Sequence, residues 1–247
     1  MTFNIETYLI SLPEDIEEIN VPYKKLKYIP NLLRFKNLKR LYCSGNRLTS
    51  LPMFNDTLEE LYCSDNNLTS LPNFNEKLTK MYCSGNNLTY LPNFNENLEI
   101  LFCSNNQLSS LPTLNEKLEI LYCSNNKLTS LPILNENLKG LYCSDNNLTS
   151  LPNLNFIENL IELDCSNNPI GEIIKHSFDI DSTKNKIRIL NNFRHLYYCL
   201  KFKKQLREWL WKKVREQTIM RRYHPSYLIE KLYLDEETDL DELLNKW

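Results

Sequence analysis

With 247 residues, 42% hydrophobic and 24% charged, and a formal net charge of −2, the chain has the size of one large domain or one domain with an appendage. Its four glycines (Gly45, Gly85, Gly140, Gly171) are never adjacent or spaced like a phosphate-cradling loop, which excludes nucleotide-binding fingerprints, and three histidines argue against most metal sites and histidine-based catalysis. No stretch nears the roughly 20 apolar residues of a membrane span, and the opening MTFNIETYLISLPEDIEEI is acidic where a secretory leader would begin basic.

Residues 1–15 read as an N-terminal half-repeat or cap, because Leu9, Leu12 and Pro13 match the LxxLP end of a unit that recurs downstream. From Leu38 that unit repeats every 20 residues: LKRLYCSGNRLTSLPMFNDT, LEELYCSDNNLTSLPNFNEK, LTKMYCSGNNLTYLPNFNEN and three more, from Leu98, Leu118 and Leu138. A further copy, LIELDCSNNPIGEI, starts at Leu160 after a two-residue insertion. Upstream, Ile16, Ile19, Val21, Leu26, Ile29 and Pro30 hold the same frame with Lys24 in the place of asparagine, so residues 16–174 carry eight repeats. Twenty residues leave no room for a strand, a full crossover helix of about 10 residues and two loops. The return path is therefore extended or a short turn, and the leucines of a single unit find cover only by stacking on neighbouring units.

The frame L-x-x-L-x-C-x-x-N-x-L-x-x-L-P resembles the leucine-rich repeat, and its LP ending resembles the short LPX-type class of bacteria. That resemblance covers about residues 9–174. It implies an α/β-type repeat solenoid, a horseshoe with a parallel concave sheet of about eight short strands and an extended or turn-built convex side, followed here by a small C-terminal helical segment.

Leu38, Leu41, Cys43, Leu48, Leu51 and Phe54, with their copies, are the expected core. Seven of the eight cysteines (Cys43, Cys63, Cys83, Cys103, Cys123, Cys143, Cys165) share one repeat position. A metal or redox ladder is the functional reading of that column. Against it, no CxxC pair exists, stacked parallel side chains do not face each other as a disulfide requires, and free cysteine packs well as a small hydrophobe. The core reading implies a reducing compartment, with no metal and no cofactor. The asparagine column Asn46, Asn66, Asn86, Asn106, Asn126, Asn146 and Asn168 follows the strand and is expected to satisfy backbone groups in the turn. A second run, Asn55 to Asn155, shapes the turn back to the next strand. The Asn-x-Thr sequons at Asn55, Asn67, Asn87 and Asn147 are set aside, three of them being by-products of the N-N-L-T repeat.

Strand alternation turns Leu41 and Cys43 inward and their neighbours outward onto the concave face. An exposed aromatic column results, Tyr42, Tyr62, Tyr82, Phe102, Tyr122 and Tyr142, ending in Asp164, beside a serine column from Ser44 to Ser166. Exposed aromatics in a row point to a protein interface. Tyrosine as a good strand residue, copied by recent duplication, is the alternative. Specificity is then expected from the varying columns: Arg40, Glu60, Lys80, Ile100, Ile120, Gly140 and Glu162, and Gly45, Asp65, Gly85, Asn105, Asn125, Asp145 and Asn167. Ile100 and Ile120 beside Phe102 and Tyr122 form the most apolar patch and the expected hot spot.

After residue 174 the period ends and charge shifts: residues 1–174 carry a net −7, 175–234 a net +10 and 235–247 a net −5. A helix is expected over about 192–217, capping the solenoid, with short helices after Pro225 and Thr238. Its basic residues Lys201, Lys203, Lys204, Arg207, Lys212, Lys213 and Arg215 offer an alternative, nucleic acid or an acidic membrane met through 194–222, with a solvated helix face as the simpler reading. The ending from Lys212, with His224, Pro225, Tyr227, Leu228, Asp239, Leu240, Asp241, Glu242, Leu244, Asn245 and Trp247, is similar to the C-terminal signature of leucine-rich repeat proteins of mimivirus-like giant DNA viruses, which brings no activity with it.

The expected function is non-enzymatic: a module holding a protein or peptide in a groove roughly 40 Å long, with no small-molecule ligand. The LPX resemblance also brings to mind effectors with a cysteine-dependent ubiquitin-ligase domain, but Cys199 sits in the context Tyr-Cys-Leu without the aspartate that accompanies the ligase cysteine. A structural role in a virion is a further reading.

Overall fold

Each repeat contributes one strand of three residues, too short to persist alone, so the sheet exists only as a stack. In the computed structural model the described residues are 3–52, 55–174 and 179–201, and the chain divides into two compact units, 1–191 and 192–247. The first unit holds β1 (Glu18–Asn20), β2 (Arg40–Tyr42), β3 (Glu60–Tyr62), β4 (Lys80–Tyr82), β5 (Ile100–Phe102), β6 (Ile120–Tyr122), β7 (Gly140–Tyr142) and β8 (Glu162–Asp164). They form one eight-stranded parallel sheet in sequence order. The register pairs every residue with its copy, Leu41 with Leu61, Tyr62 with Tyr82, Ile100 with Ile120. The first and last steps take 22 residues and still keep register, Glu18 with Arg40 and Gly140 with Glu162.

The middle residue of each strand from β1 to β7 is fully buried, and so are Cys43 to Cys143 with the Leu48 column. The return path packs less evenly: Leu51, Phe74, Phe94 and Leu131 are only partly buried, whereas Leu134, Leu151 and Leu154 are fully covered. Phe54 lies outside the described residues. All seven repeat cysteines are free thiols in the core. Burial pushes the thiols of Cys43 and Cys83 up to about 12 and that of Cys165 up to about 11, so none is a thiolate near neutral pH.

The asparagine column is what lets the chain turn out of the strand inside the core. Asn66 Nδ2 donates to the carbonyls of Cys43 (3.0 Å) and Cys63 (3.1 Å), and its Oδ1 accepts from Leu48 N–H at 3.0 Å. One side chain thus serves its own repeat and the preceding one. The same set recurs at Asn86, Asn106, Asn126 and Asn146. Where the first repeat has Lys24 instead, Asn46 Oδ1 of the next repeat accepts from both Lys24 and Leu26 N–H, each at 3.0 Å. The second column runs along the return path: Nδ2 of Asn75, Asn95, Asn115 and Asn135 each donates to the carbonyl of the asparagine one repeat back. Exposed Asn155 departs from it, in the repeat that carries the insertion.

Both ends of the ladder need closing. Where half a repeat is expected, the chain forms helix α1 (Ile5–Ser11), capped by Asn4 Oδ1 accepting from Thr7 N–H at 3.0 Å. Ile5 and Leu9 enter the core, and Arg34 donates to the Leu9 carbonyl and, at 2.9 Å, to that of Leu12. At the other end Asn168 has no successor, and the turn becomes helix α2 (Pro169–Ile174). Pro169 has no N–H for the bond its counterparts make, and Ile170 N–H takes the Leu148 carbonyl at 2.9 Å.

Helix α3 (Ile180–Lys201) begins well before the expected residue 192. Its packed face is half polar, with Thr183, Lys184 and Ile187 buried, so apolar periodicity alone does not reveal it. Lys184 Nζ donates to the Ile157 carbonyl at 2.8 Å and Asn191 Nδ2 to that of Leu151 at 3.0 Å. The basic residues from Lys203 onward, Trp209, Trp211 and the helices expected after Pro225 and Thr238 lie outside the described residues. Among the described residues no helix is long and apolar enough to cross a membrane.

Asn86→Ala should cost roughly 2–4 kcal/mol in urea unfolding, because buried backbone groups of two repeats lose their partners, while the exposed neighbour Asn87→Ala should stay within about 0.5 kcal/mol of the parent. In the folded chain the seven repeat thiols should resist dithionitrobenzoate, and all should react once urea unfolds it.

Candidate functional site

The two residues flanking each buried strand centre face outward, and stacking turns them into columns. The first column is Arg40, Glu60, Lys80, Ile100 and Ile120, all half-buried, then buried Gly140 and exposed Glu162. The second is Tyr42, Tyr62, Tyr82, Phe102, Tyr122 and Tyr142, opposite Asp164 at the end. All the sequence-derived candidates therefore lie on one face.

The aromatic column is more enclosed than its sequence suggests. Successive ring centroids are 4.4, 4.4, 4.8, 4.1 and 3.9 Å apart, stacked throughout except for the tilted Tyr82–Phe102 pair. The rings are half-buried, each face covered by the next ring, so the column presents edges and hydroxyls to solvent instead of open faces. That removes much of the solvation penalty expected of exposed aromatics.

Charges in the first column alternate and pair. Arg40 reaches Glu18 at 3.2 Å, and Lys80 Nζ reaches Glu60 at 3.0 Å. Tyr62 Oη donates to Glu60 at 2.9 Å. Burial raises the Glu60 carboxyl, but the hydrogen bonds from Lys80 and Tyr62 outweigh it and hold the group below its ordinary value. Burial, then the bond to Glu60, pushes the Tyr62 phenol up. Tyr142 makes the same kind of bond to Glu162, which is the main cause of its own raised phenol.

The Gly45 to Asn167 column is not free to vary for a partner. Gly45, Asp65, Gly85, Asn105, Asn125, Asp145 and Asn167 all have φ between 51° and 69°, the left-handed region that only glycine, asparagine and aspartate enter at low cost. The restriction to these three residue types was the visible signal. In the serine column, Ser144 Oγ donates to Ser124 Oγ at 3.1 Å, and Ser166 Oγ to Asp164 at 2.6 Å. Among the described residues no group of three or more His, Cys, Asp or Glu is arranged to hold a metal ion.

The sequence model of the leucine-rich repeats matches residues 36–76 and 136–178. No curated protein matches the sequence. Among solved structures the fold is similar to YopM of Yersinia pestis, a leucine-rich effector protein, at 28% identity and a TM-score of 0.54, over 62% of this chain and 49% of that one. YopM of Yersinia enterocolitica aligns at 30% identity and a TM-score of 0.54 over 65% and 39% of the two chains. The leucine-rich repeat domain of a Shigella effector aligns at 28% and 0.54 over 61% and 68%. The chain thus spans under half the length of either YopM chain.

With φ at 56°, Asn105→Val should destabilise by roughly 1–2 kcal/mol, whereas Asn105→Gly should be neutral within about half that. Urea midpoints of the two variants measure the difference.

Proposed function

We propose that this leucine-rich repeat protein is a non-enzymatic interaction module that holds a protein or peptide on its concave face. The observation that carries the reading is the unbroken aromatic column from Tyr42 to Tyr142, flanked by a column whose chemistry changes from strand to strand. Leucine-rich repeat folds are typical protein–protein interaction modules and generally serve as scaffolds without catalysis. Arg40, Tyr42, Glu60, Tyr62, Lys80, Tyr82, Ile100, Phe102, Ile120, Tyr122 and Tyr142 are the candidate contacts. Tyrosine suits the task because a ring edge and a hydroxyl offer apolar and polar contact with little rotamer entropy to lose. The row of buried free thiols supports a reducing compartment as the place of work. The likeness of the C-terminal segment to giant-virus proteins supports a partner in an infected cell, viral or host.

The test is quantitative affinity capture with the full chain, a Tyr62→Glu/Tyr122→Glu variant, and a Thr69→Glu/Thr129→Glu variant altered on exposed residues away from the sheet. The tyrosine variant should keep its far-ultraviolet circular dichroism, lose about 1 kcal/mol per ring removed from the stack, and capture at least tenfold less of its partner. Loss of the partner in the threonine variant instead would overturn the concave reading.

A further inference from the structure

The concave face changes character along its length. From β1 to β4 the first column is Glu18, Arg40, Glu60 and Lys80, and its charges are spent on each other. From β5 it becomes Ile100, Ile120 and Gly140, and it ends on β8 at Glu162. Phe102, on β5, is the rung of the aromatic column that lacks a hydroxyl, so both columns are apolar there.

The same small device occurs at both ends of this gradient. Near the start, a tyrosine hydroxyl donates to a glutamate, Tyr62 to Glu60, and Lys80 on the following strand completes the carboxylate. At the end Tyr142 donates to Glu162, and the arrangement is made possible by Gly140: a Cβ there would lie 3.3 Å from Tyr142 Cε2 and 3.6 Å from Glu162 Oε2. Here the tyrosine and the glutamate sit on neighbouring strands, and the cation differs as well. Among the described residues β8 is the last strand, so none of them supplies a lysine from a following strand, and Lys139 is engaged with Glu119 at 2.8 Å. Among the described residues Glu162 has no ion pair. An exposed carboxylate is thus held in place by a phenol, beside an apolar stretch, and none of the described residues takes the position of its counter-ion.

We infer that the face from β5 to β8 takes an extended peptide segment of the form apolar–x–apolar–x–Lys/Arg, its apolar side chains on Ile100 and Ile120 and its cation on Glu162. The spacing follows from strand geometry: three strand steps from Ile100 to Glu162 are roughly 14 Å, and residues i and i+4 of an extended chain are about 13–14 Å apart on one side. The middle apolar residue then falls between Ile120 and Gly140, where the missing side chain leaves room for it. The inference rests on the concave face being the docking surface and deepens that reading.

A displayed random dodecapeptide library selected on the full-length chain, followed by fluorescence anisotropy of the enriched peptides, tests it. The expected result is enrichment of that spacing, at least tenfold weaker binding to Glu162→Gln, and a switch in Glu162→Lys towards peptides with glutamate at the last position. Peptides that lose binding to Tyr62→Glu/Tyr122→Glu but bind Glu162→Gln unchanged overturn this inference and leave the concave reading standing. Peptides indifferent to both variants overturn both. No enrichment over an unrelated protein overturns the inference, as does self-association that Glu162→Gln abolishes, which assigns the face to a second copy.

Discussion

In a parallel, in-register stack every side chain lies beside its own copy one strand away, roughly 4.8 Å off, and the whole molecule depends on that constraint. A residue type is acceptable at a repeat position only if it tolerates its like as a neighbour. Asparagine meets the test because its amide is donor and acceptor at once, so Asn66 serves two repeats with one side chain. Like charges repel at that spacing on the half-buried sheet face, where the first column alternates Glu18, Arg40, Glu60, Lys80, whereas the exposed return path has water enough to carry Glu76, Glu96, Glu116 and Glu136 at one position. Cysteine passes by being small, apolar and uncharged where burial forbids the thiolate.

The aromatic column passes it by stacking, and this bears on both readings raised by the residues themselves. Ring-on-ring contact at 3.9–4.8 Å gives the tyrosines a structural purpose. It also leaves a continuous ridge of edges and hydroxyls, so the two readings are not rivals: the stack that stabilises the sheet is also the surface proposed to meet a partner. What distinguishes one part of that ridge from another is the column beside it.

The repeat, the strand positions, the register and the asparagine column were legible because each is written eight times, or nearly so, and noise does not repeat in frame. The half-buried state of the tyrosines was not, since alternation reports which side a residue faces but not whether its neighbours cover it. Helix α3 was hidden by Lys184 and Asn191, which reach backbone carbonyls instead of apolar partners. Helix α1 was hidden by Leu9, Leu12 and Pro13, which copy the end of a repeat by spacing alone. Gly140 and Glu162 stand in the right column of the sequence, but that one is a gap and the other has no ion pair among the described residues follows only from where Tyr142 leans and from β8 being the last strand among them.

The asparagine ladder also has a direction. Each oxygen reaches back to the N–H of the preceding repeat, as Asn86 does to Leu68 and Asn106 to Leu88, so a repeat is completed by its successor and not by its predecessor. During synthesis the newest repeat to leave the ribosome is always one whose turn has unmet backbone groups. The growing solenoid carries that unfinished turn forward until Ile170, whose N–H would await a successor, takes the Leu148 carbonyl that Pro169 leaves open, and α2 closes the end.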